Sequence, residues 1–302
     1  MTHTIKGLRA QFKEQGKFHT PPELAGFLRS LIPGVPRDVY DPTCGAGALL
    51  SVFPDEVPKF GQDIDTAALA DAELIPNMTT VCGDVLIDPA WIDKRFHAIV
   101  ANPPFSIRWE PQADERFMYA PTVPTASRAD YAFLIHIMHM LADDGVAAVL
   151  NFPGILYRGN REGVLREWFI RNNWVDKVIL IPGDTFTDTS ISTVCLVLRK
   201  DRTGDTIRFE DREHDVSRDV PVSEVEAAGF TLSVSSFVQP EMPEAEPFDA
   251  WGAEQLARNG AARKLRSELR FSRQVARFEG WPFAPFIEQL DEVLNEFRES
   301  VK

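Results

Sequence analysis

A six-residue segment, Ala101–Ser106 (ANPPFS), holds the residues with the clearest chemical use in this sequence. Its two prolines, Pro103 and Pro104, stiffen the loop and remove two backbone N–H donors. Backbone carbonyls and the side-chain oxygen of Asn102 remain as acceptors, with the ring of Phe105 beside them. Acceptors from Asn102 and the Pro103 carbonyl can bind both hydrogens of an amino group and favour its pyramidal, nucleophilic nitrogen. The aromatic ring can stack on the base that carries this group.

An isolated NPPF segment is often only a rigid turn. Here it directly follows the apolar run FHAIVA and comes about sixty residues after a turn rich in glycine. That position, at the end of an expected strand, favours the chemical interpretation over the structural one.

The glycine-containing turn is the segment DPTCGAGALL, residues 41–50, which follows the short strand-like run DVYD. Glycine after a strand lets the backbone turn tightly and approach a ligand closely. Gly45 and Gly47 form only a G-x-G pattern, which by itself is weak evidence and fits an ordinary strand-to-helix turn.

Two aspartates strengthen this interpretation by their order along the chain. Asp63, in GQDID, lies eighteen residues after Gly45 and follows the next expected strand, where a carboxylate can accept hydrogen bonds from ribose hydroxyls. Asp84, in CGD, follows the third expected strand and could accept from an adenine amino group of a cofactor. Taken singly, the first would be a solvated loop residue and the second a helix cap.

The elements that must position these residues alternate between short apolar runs and helix-like stretches. This alternation predicts an α/β fold, a doubly wound and mostly parallel sheet covered on both faces, with ligands beyond the carboxyl ends of its strands. The expected strands are Asp38–Tyr40, Lys59–Gly61, Thr79–Cys82, His97–Ala101, Val146–Asn151, Lys177–Ile181 and Ser192–Leu198. The clearest expected helices are Tyr131–Ala142 and Arg161–Asn172.

Four regions are expected along the chain. Residues 1–35 form a helical, cofactor-covering segment, 36–200 the core, 201–247 an acidic extension with β-like runs and a linker, and 248–302 a helical tail. Within the tail, residues 255–278 carry seven Lys or Arg and one Glu, whereas the following residues are acidic with apolar positions at helical spacing. Packing on the protein's own core and binding of a partner are equally good explanations of this tail.

Composition limits the class of protein. The 302 residues are 44% hydrophobic and 25% charged, as in ordinary globular proteins, and no run of eighteen apolar residues suggests a membrane span. Three scattered cysteines without metal-ligand spacing indicate a reducing compartment, so we expect a cytoplasmic protein without a metal site. The net charge of −13 argues against strong autonomous binding to duplex DNA, although a local basic surface or a basic partner could supply the attraction.

In this order, DPTCGAGALL, GQDID, CGDVL and NPPF resemble the motifs of amino-methylating DNA methyltransferases, and among these the modification (methylation) subunit of type I restriction enzymes. The resemblance extends over roughly residues 10–240. It includes GKFHTP at 16–21, the stretch from RADYAF to ILYRG, the segment PGDTFTDTSI at 182–191, and GFTLSVSSFV at 229–238.

The resemblance implies a Rossmann-like sheet of seven strands with the last one antiparallel, and S-adenosylmethionine as methyl donor to N6 of a flipped adenine in duplex DNA. It also implies a specificity subunit that reads the DNA sequence. From the pattern of the tail, we expect the C-terminal helices to bind that subunit or a dimer partner. Its implied catalytic residues are Asn102, Pro103, Pro104 and Phe105, with Phe186 lining the base pocket. The implied cofactor residues are Phe18, Thr20, Asp41, Thr43, Gly45, Gly47, Asp63, Ile64, Asp84, Val85 and Asn102.

Two departures leave alternatives open. Members of that family usually begin with a sizeable helical domain, whereas the first expected strand of this sequence is preceded by only about thirty-five residues. In addition, a target-recognition domain is not evident after residue 240. A methyltransferase acting on RNA or on protein glutamine also uses an amino nitrogen held by an NPP loop. A catalytically silent cofactor-binding subunit is the third possibility, although all the expected site residues are present.

Overall fold

The computed structural model describes residues 20–183 and 192–239, together with residues 284, 285, 287, 288, 291, 292 and 295. Phe18 and Phe186, both expected at the site, lie outside these described residues, as does most of the expected helical tail. The chain divides into two units, Met1–Pro240 and Glu241–Lys302. The sheet and the residues discussed below belong to the first unit.

Nine strands form one sheet in the described part of the chain, in the order β3-β2-β1-β4-β5-β7-β6-β8-β9. Strand β7 runs antiparallel to both β5 and β6, and β9 runs antiparallel to β8, whereas the other neighbours are parallel. The strands are β1 Val39–Asp41, β2 Lys59–Asp63, β3 Met78–Cys82, β4 Phe96–Ala101, β5 Leu141–Asn151, β6 Val175–Ile181, β7 Thr193–Arg199, β8 Thr206–Asp211 and β9 Val216–Pro221.

The predicted α/β architecture with a mostly parallel sheet is confirmed, and β7, the last of the seven expected strands, is antiparallel to its neighbours as expected. The number of strands is larger than the predicted seven. The β-like run in the acidic extension becomes β8, which pairs in parallel with β6, and β9 then pairs with β8 at the edge. Alternate residues of β8 are buried, because one face of this short strand packs on the protein.

Six α-helices have defined bounds in the described part of the chain; the first precedes β1, and the others lie between or after the strands. They are α1 Pro22–Ser30, α2 Thr66–Ala72, α3 Glu115–Met118, α4 Asp130–Met140, α5 Asn160–Arg171 and α6 Val222–Ala227, with 3-10 turns at Pro153–Leu156 and Val234–Ser236. Helix α4 is buried at all but one of its positions. Its sequence is therefore apolar on most sides of the helix and lacks an amphipathic pattern. In the described residues no helix has both the length and the hydropathy needed to cross a membrane.

Two apolar clusters cover the two faces of the sheet. Successive residues of each central strand alternate between them: Tyr40, Ile99 and Val149 belong to one cluster, and Val39 and Val100 to the other. Burial on both faces explains why the central strands are continuous apolar runs in the sequence. The polar residues that follow these strands therefore emerge at an edge of the sheet, outside both clusters.

Gly61 allows the glycine-containing turn after β1 to pack closely against β2. A Cβ at this position would lie 2.6 Å from the sulfur and 3.0 Å from the Cβ of Cys44, and 2.5 Å from Cε of Met78. Real Cβ atoms do not approach that closely, so only glycine allows Cys44 to pack over the strand.

We expect Gly61→Ala to lower the free energy of unfolding by about 1–3 kcal/mol, because the added methyl group overpacks a buried contact. Gly26→Ala is the matched control, since a Cβ at Gly26, in α1, would meet no atom within 4 Å. That control should be neutral or stabilising by up to about 1 kcal/mol. Urea denaturation measures both, and equal stabilities of the two variants would contradict this account of Gly61.

Candidate functional site

The carboxyl ends of β1, β2, β3 and β4 meet at one edge of the sheet. Asp41 pairs with Gly61, Asp63 pairs with Cys82, and Tyr40 pairs with Ile99, all in parallel register. The segments at the ends of these strands are therefore neighbours, and they contain all four motifs predicted to carry the chemistry.

The glycine turn after β1 is held to the end of β2 by a carboxylate. The N–H of Gly45 donates to Oδ2 of Asp63 at 2.8 Å, and the N–H of Asp65 donates to Oδ1 of the same carboxylate at 2.9 Å. Each oxygen keeps a second lone pair, so the carboxylate can still accept hydrogen bonds from hydroxyl groups of a ligand.

The two glycines of the turn, Gly45 and Gly47, have different structural roles. Both have positive φ, +51° at Gly45 and +81° at Gly47, which side chains with a Cβ rarely adopt. A Cβ at Gly47 would strike Ile75 at 2.4 Å and lie 3.3 Å from the Cβ of Ala72, so this glycine allows close packing on the end of α2. A Cβ at Gly45 would meet nothing within 4 Å, so this part of the turn borders open space that a ligand can enter.

Asp41 is the buried acid of the site. Its side chain accepts from the N–H of Thr43 at 2.9 Å, which closes the turn after β1. Burial away from water raises the pKa of Asp41 to about 8; the hydrogen bond from Thr43 opposes the rise and the nearby Asp63 carboxylate adds to it. The carboxyl group is therefore largely protonated at neutral pH.

The remaining residues expected to bind the cofactor differ in the exposure of their side chains. Ile64 is 73% exposed beside the open edge, and Asp84 is exposed as well. Oδ1 of Asp84 accepts from the N–H of Leu86 at 2.9 Å, and no hydrogen bond joins Oδ2 of this exposed side chain to another described residue. The side chain of Val85 is buried in the core at 3% exposure, so only its backbone is available to a ligand.

The NPPF loop lies at the protein surface beside the glycine turn. Pro104 is exposed, Asn102 and Phe105 are half-buried, and Pro103 is buried. The amide nitrogen of Asn102 donates to the hydroxyl oxygen of Thr20 at 3.4 Å, across 82 residues of sequence. This contact uses the nitrogen end of the amide and leaves the oxygen end as an acceptor.

Sequence reasoning missed the residues that hold the far end of this loop. The N–H of Ser106, which has a φ of +54°, donates to Oδ1 of Asp130 at 3.1 Å. Arg158 reaches the hydroxyl of Ser106 at 3.4 Å and lies directly over Gly154, where a Cβ would come within 2.6 Å of the guanidinium. Asp130 and Arg158 stand in RADYAF and ILYRG, which carry the resemblance, so these segments were the available signal.

The structure thus brings Thr20, Asp41, Thr43, Gly45, Asp63 and Asn102 together at one edge. Among the described histidines, His136 lies inside the core, where its ring nitrogens contact Arg116 and Tyr40. The cluster can present acceptors to an amino group, hydroxyl-binding carboxylates and an open glycine turn to a nucleoside-containing ligand.

Solved structures share this architecture. A type I restriction-modification system methyltransferase subunit from Streptococcus thermophilus superposes with a TM-score of 0.68 at 26% sequence identity, covering 78% of this chain and 62% of that one. The fold is therefore that of the Rossmann-like methyltransferases. The N-6 DNA methylase family model matches residues 6–224, and the chain belongs to that family.

Two curated relatives differ in how much they share. The type I restriction enzyme MpnII methylase subunit of Mycoplasma pneumoniae is 34% identical over 241 residues, which are 68% of this chain and 44% of the relative. The ribosomal RNA small subunit methyltransferase C of Pectobacterium atrosepticum is 32% identical over 107 residues, 34% of this chain and 30% of the relative. The chain thus spans less than half the length of either relative.

We expect the pH dependence of stability to report the buried carboxyl of Asp41. Its pKa is about 8 in the folded protein and near 4 when unfolded, so the native state holds a proton that the unfolded state releases. That contribution is complete below about pH 4 and is lost as the pH rises through about 8. Asp41→Asn lacks this titration, so its melting temperature relative to the parent should rise between pH 5 and pH 8.

Asp71→Asn, on the exposed side of α2, controls for the loss of one carboxylate. Differential scanning calorimetry at several pH values measures the trend. The same trend in both variants would contradict the assignment to Asp41.

Proposed function

We propose that this chain transfers a methyl group from S-adenosylmethionine to N6 of an adenine flipped out of DNA, as the catalytic part of a restriction-modification system. The observation that carries the proposal is the hydrogen bond from the Asn102 amide nitrogen to Thr20. This contact occupies the nitrogen end of the amide, which supports a role for the oxygen end as acceptor for a substrate amino group.

An aromatic amine is a poor nucleophile because its lone pair is delocalised into the ring. Acceptance of both its hydrogens, by Asn102 and by the Pro103 carbonyl, favours the pyramidal nitrogen on which the lone pair becomes available. Phe105 is half-buried with part of its ring accessible, which suits stacking on an extruded base. Pro104 is exposed beside it and cannot offer a competing N–H donor.

The residues at the edge fit the cofactor. The open side of Gly45 allows close approach of a ligand, Asp63 offers oxygens to ribose hydroxyls, and the unpartnered Oδ2 of Asp84 offers an acceptor to the adenine amino group. Exposed Ile64 supplies an apolar surface beside them. When bound, the cofactor supplies an activated methyl group on a sulfonium, so the protein needs neither a metal nor a strong base for methyl transfer.

DNA as substrate is supported by membership of the N-6 DNA methylase family and by the resemblance to type I methylase subunits. We infer that a specificity subunit supplies the DNA sequence recognition, because the net charge of −13 is unfavourable for unaided binding to duplex DNA. Contact with that subunit through residues 248–302, and a cytoplasmic location, remain predictions.

RNA is the second candidate substrate, because the shorter match to a ribosomal RNA methyltransferase covers part of the chain. Transfer of radiolabelled methyl groups to pools of DNA, RNA and protein, with and without the candidate specificity subunit, separates the substrates. We expect label in DNA as N6-methyladenine. Label confined to RNA or protein would overturn the proposal.

Asn102→Ala should lower kcat for DNA methylation by about a thousandfold, because it removes a transition-state acceptor. The dissociation constant for S-adenosylmethionine should stay within about threefold. Thr20→Val should lower kcat about tenfold by releasing the amide, whereas Thr20→Ser keeps the hydroxyl and most of the activity. Loss of folding or of cofactor binding in Asn102→Ala would indicate a structural loop.

Asp130→Ala should lower kcat by about a hundredfold with little effect on cofactor affinity, because the Ser106 end of the loop loses its anchor and the base is misplaced. Asp130→Asn keeps an oxygen acceptor for the Ser106 N–H and should retain most of the rate. Single-turnover kinetics measure both. Equal losses in the two variants would show that the charge, and not the hydrogen bond, matters.

A further inference from the structure

Arg116, in the short helix α3, is a fully buried cation with all of its donors used. Its side chain has no exposed surface. Nε and Nη2 donate to the carboxylate of Asp114. Nη2 also donates to the carbonyl of Leu86 at 2.9 Å. Nη1 donates to the carbonyl of Val85 at 2.7 Å and to Nδ1 of His136 at 2.9 Å. A guanidinium has five N–H bonds, and these partners account for all five.

These contacts join three separate segments of the chain. Val85 and Leu86 belong to the turn after β3, Asp114 and Arg116 belong to the segment between the NPPF loop and α4, and His136 lies inside α4. In the described structure no α-helix lies between β3 and β4, so contacts such as these keep the turn after β3 in place.

His136 acts here as a neutral acceptor. Burial lowers the pKa of His136 well below its ordinary value, and the charge of Arg116 lowers it further. Because Nδ1 accepts from Arg116, Nε2 carries the proton and can donate to the hydroxyl of Tyr40, 3.2 Å away in β1. Among the described residues, Asp114 is the carboxylate that pairs with this buried charge, and a buried ion pair of this kind contributes little net stability compared with an apolar replacement.

We propose that Arg116 is a positioning residue that aims Asp84 at the adenine end of the cofactor and thereby sets the preference for a 6-amino purine. The two carbonyls that Arg116 binds belong to the two residues directly after Asp84. The N–H of Leu86 in turn donates to Oδ1 of Asp84, so the backbone that Arg116 clamps also orients this exposed carboxylate, whose Oδ2 binds no other described residue. This inference rests on the proposed function of the chain.

Arginine suits this task better than lysine. Its planar, fixed fork can hold two adjacent carbonyls while it stays paired with Asp114, whereas an ammonium group has three donors on a flexible stem. In Arg116→Lys the charge is kept, but the turn loses part of its clamp.

The experiment compares S-adenosylhomocysteine with S-inosylhomocysteine, in which an oxygen replaces the 6-amino group. Calorimetry gives the ratio of the two dissociation constants for the full chain. In the parent the adenosyl compound should bind about tenfold tighter or more, since the amino group donates to a carboxylate. In Arg116→Lys the ratio should fall to about threefold or less, and in Asp114→Asn, which loosens the guanidinium, to an intermediate value.

Arg202→Lys is the matched control. The side chain of Arg202 is 7% exposed, and it likewise binds an aspartate, Asp176, together with the side-chain oxygen of Asn173 and the carbonyl of Thr206. It follows β7, which ends at the opposite edge of the sheet from Asp84. Its variant should lose stability while the ratio of dissociation constants remains that of the parent.

A parent-like ratio in folded Arg116→Lys overturns the proposal. If that variant does not fold, a parent-like ratio in Asp114→Asn overturns it, and a lowered ratio in Asp114→Asn supports it. An equal fall in Arg202→Lys also overturns it, since the effect would then follow from lost stability alone. A parent that binds neither compound would refute the proposed function itself, and this inference with it.

Discussion

The site depends on one constraint, the parallel register of β2, β1 and β4. This register ends the three strands at the same edge and delivers Asp63, Asp41 and Asn102 there from positions far apart in sequence. Because the strands are buried on both faces, a shift of one residue would send every core side chain to the wrong face. The position of the polar residues is thus fixed by the core and needs no stabilisation from the site itself.

Hydrogen bonds from distant segments then orient the groups that the strand register brings to this edge of the sheet. Thr20 holds the amide of Asn102, Asp130 holds the N–H of Ser106, and Arg116 holds the carbonyls after Asp84. Each anchor lies on a different element from the group it orients. A site built this way loses little entropy when a ligand binds, because its acceptors are already directed.

Most of the fold and the order of the motifs could be predicted from the sequence, because central strands appear as apolar runs and the glycines and aspartates stand directly after them. The joining of β8 and β9 to the sheet could not, since a short strand with one buried face does not identify its partner. Arg116 was missed for a similar reason: beside the charged Asp114 and Glu115 it suggests a solvated position, and its burial is caused by segments that only the folded chain brings near.

The insertion of β7 between β5 and β6 has a consequence for synthesis on the ribosome. β5 is complete at Asn151 and pairs with β4, but its other edge has no partner until the chain has been made as far as β7, which begins at Thr193. A nascent chain that stops between these points exposes a long, apolar strand edge, the kind of surface that recruits chaperones or other unfinished chains.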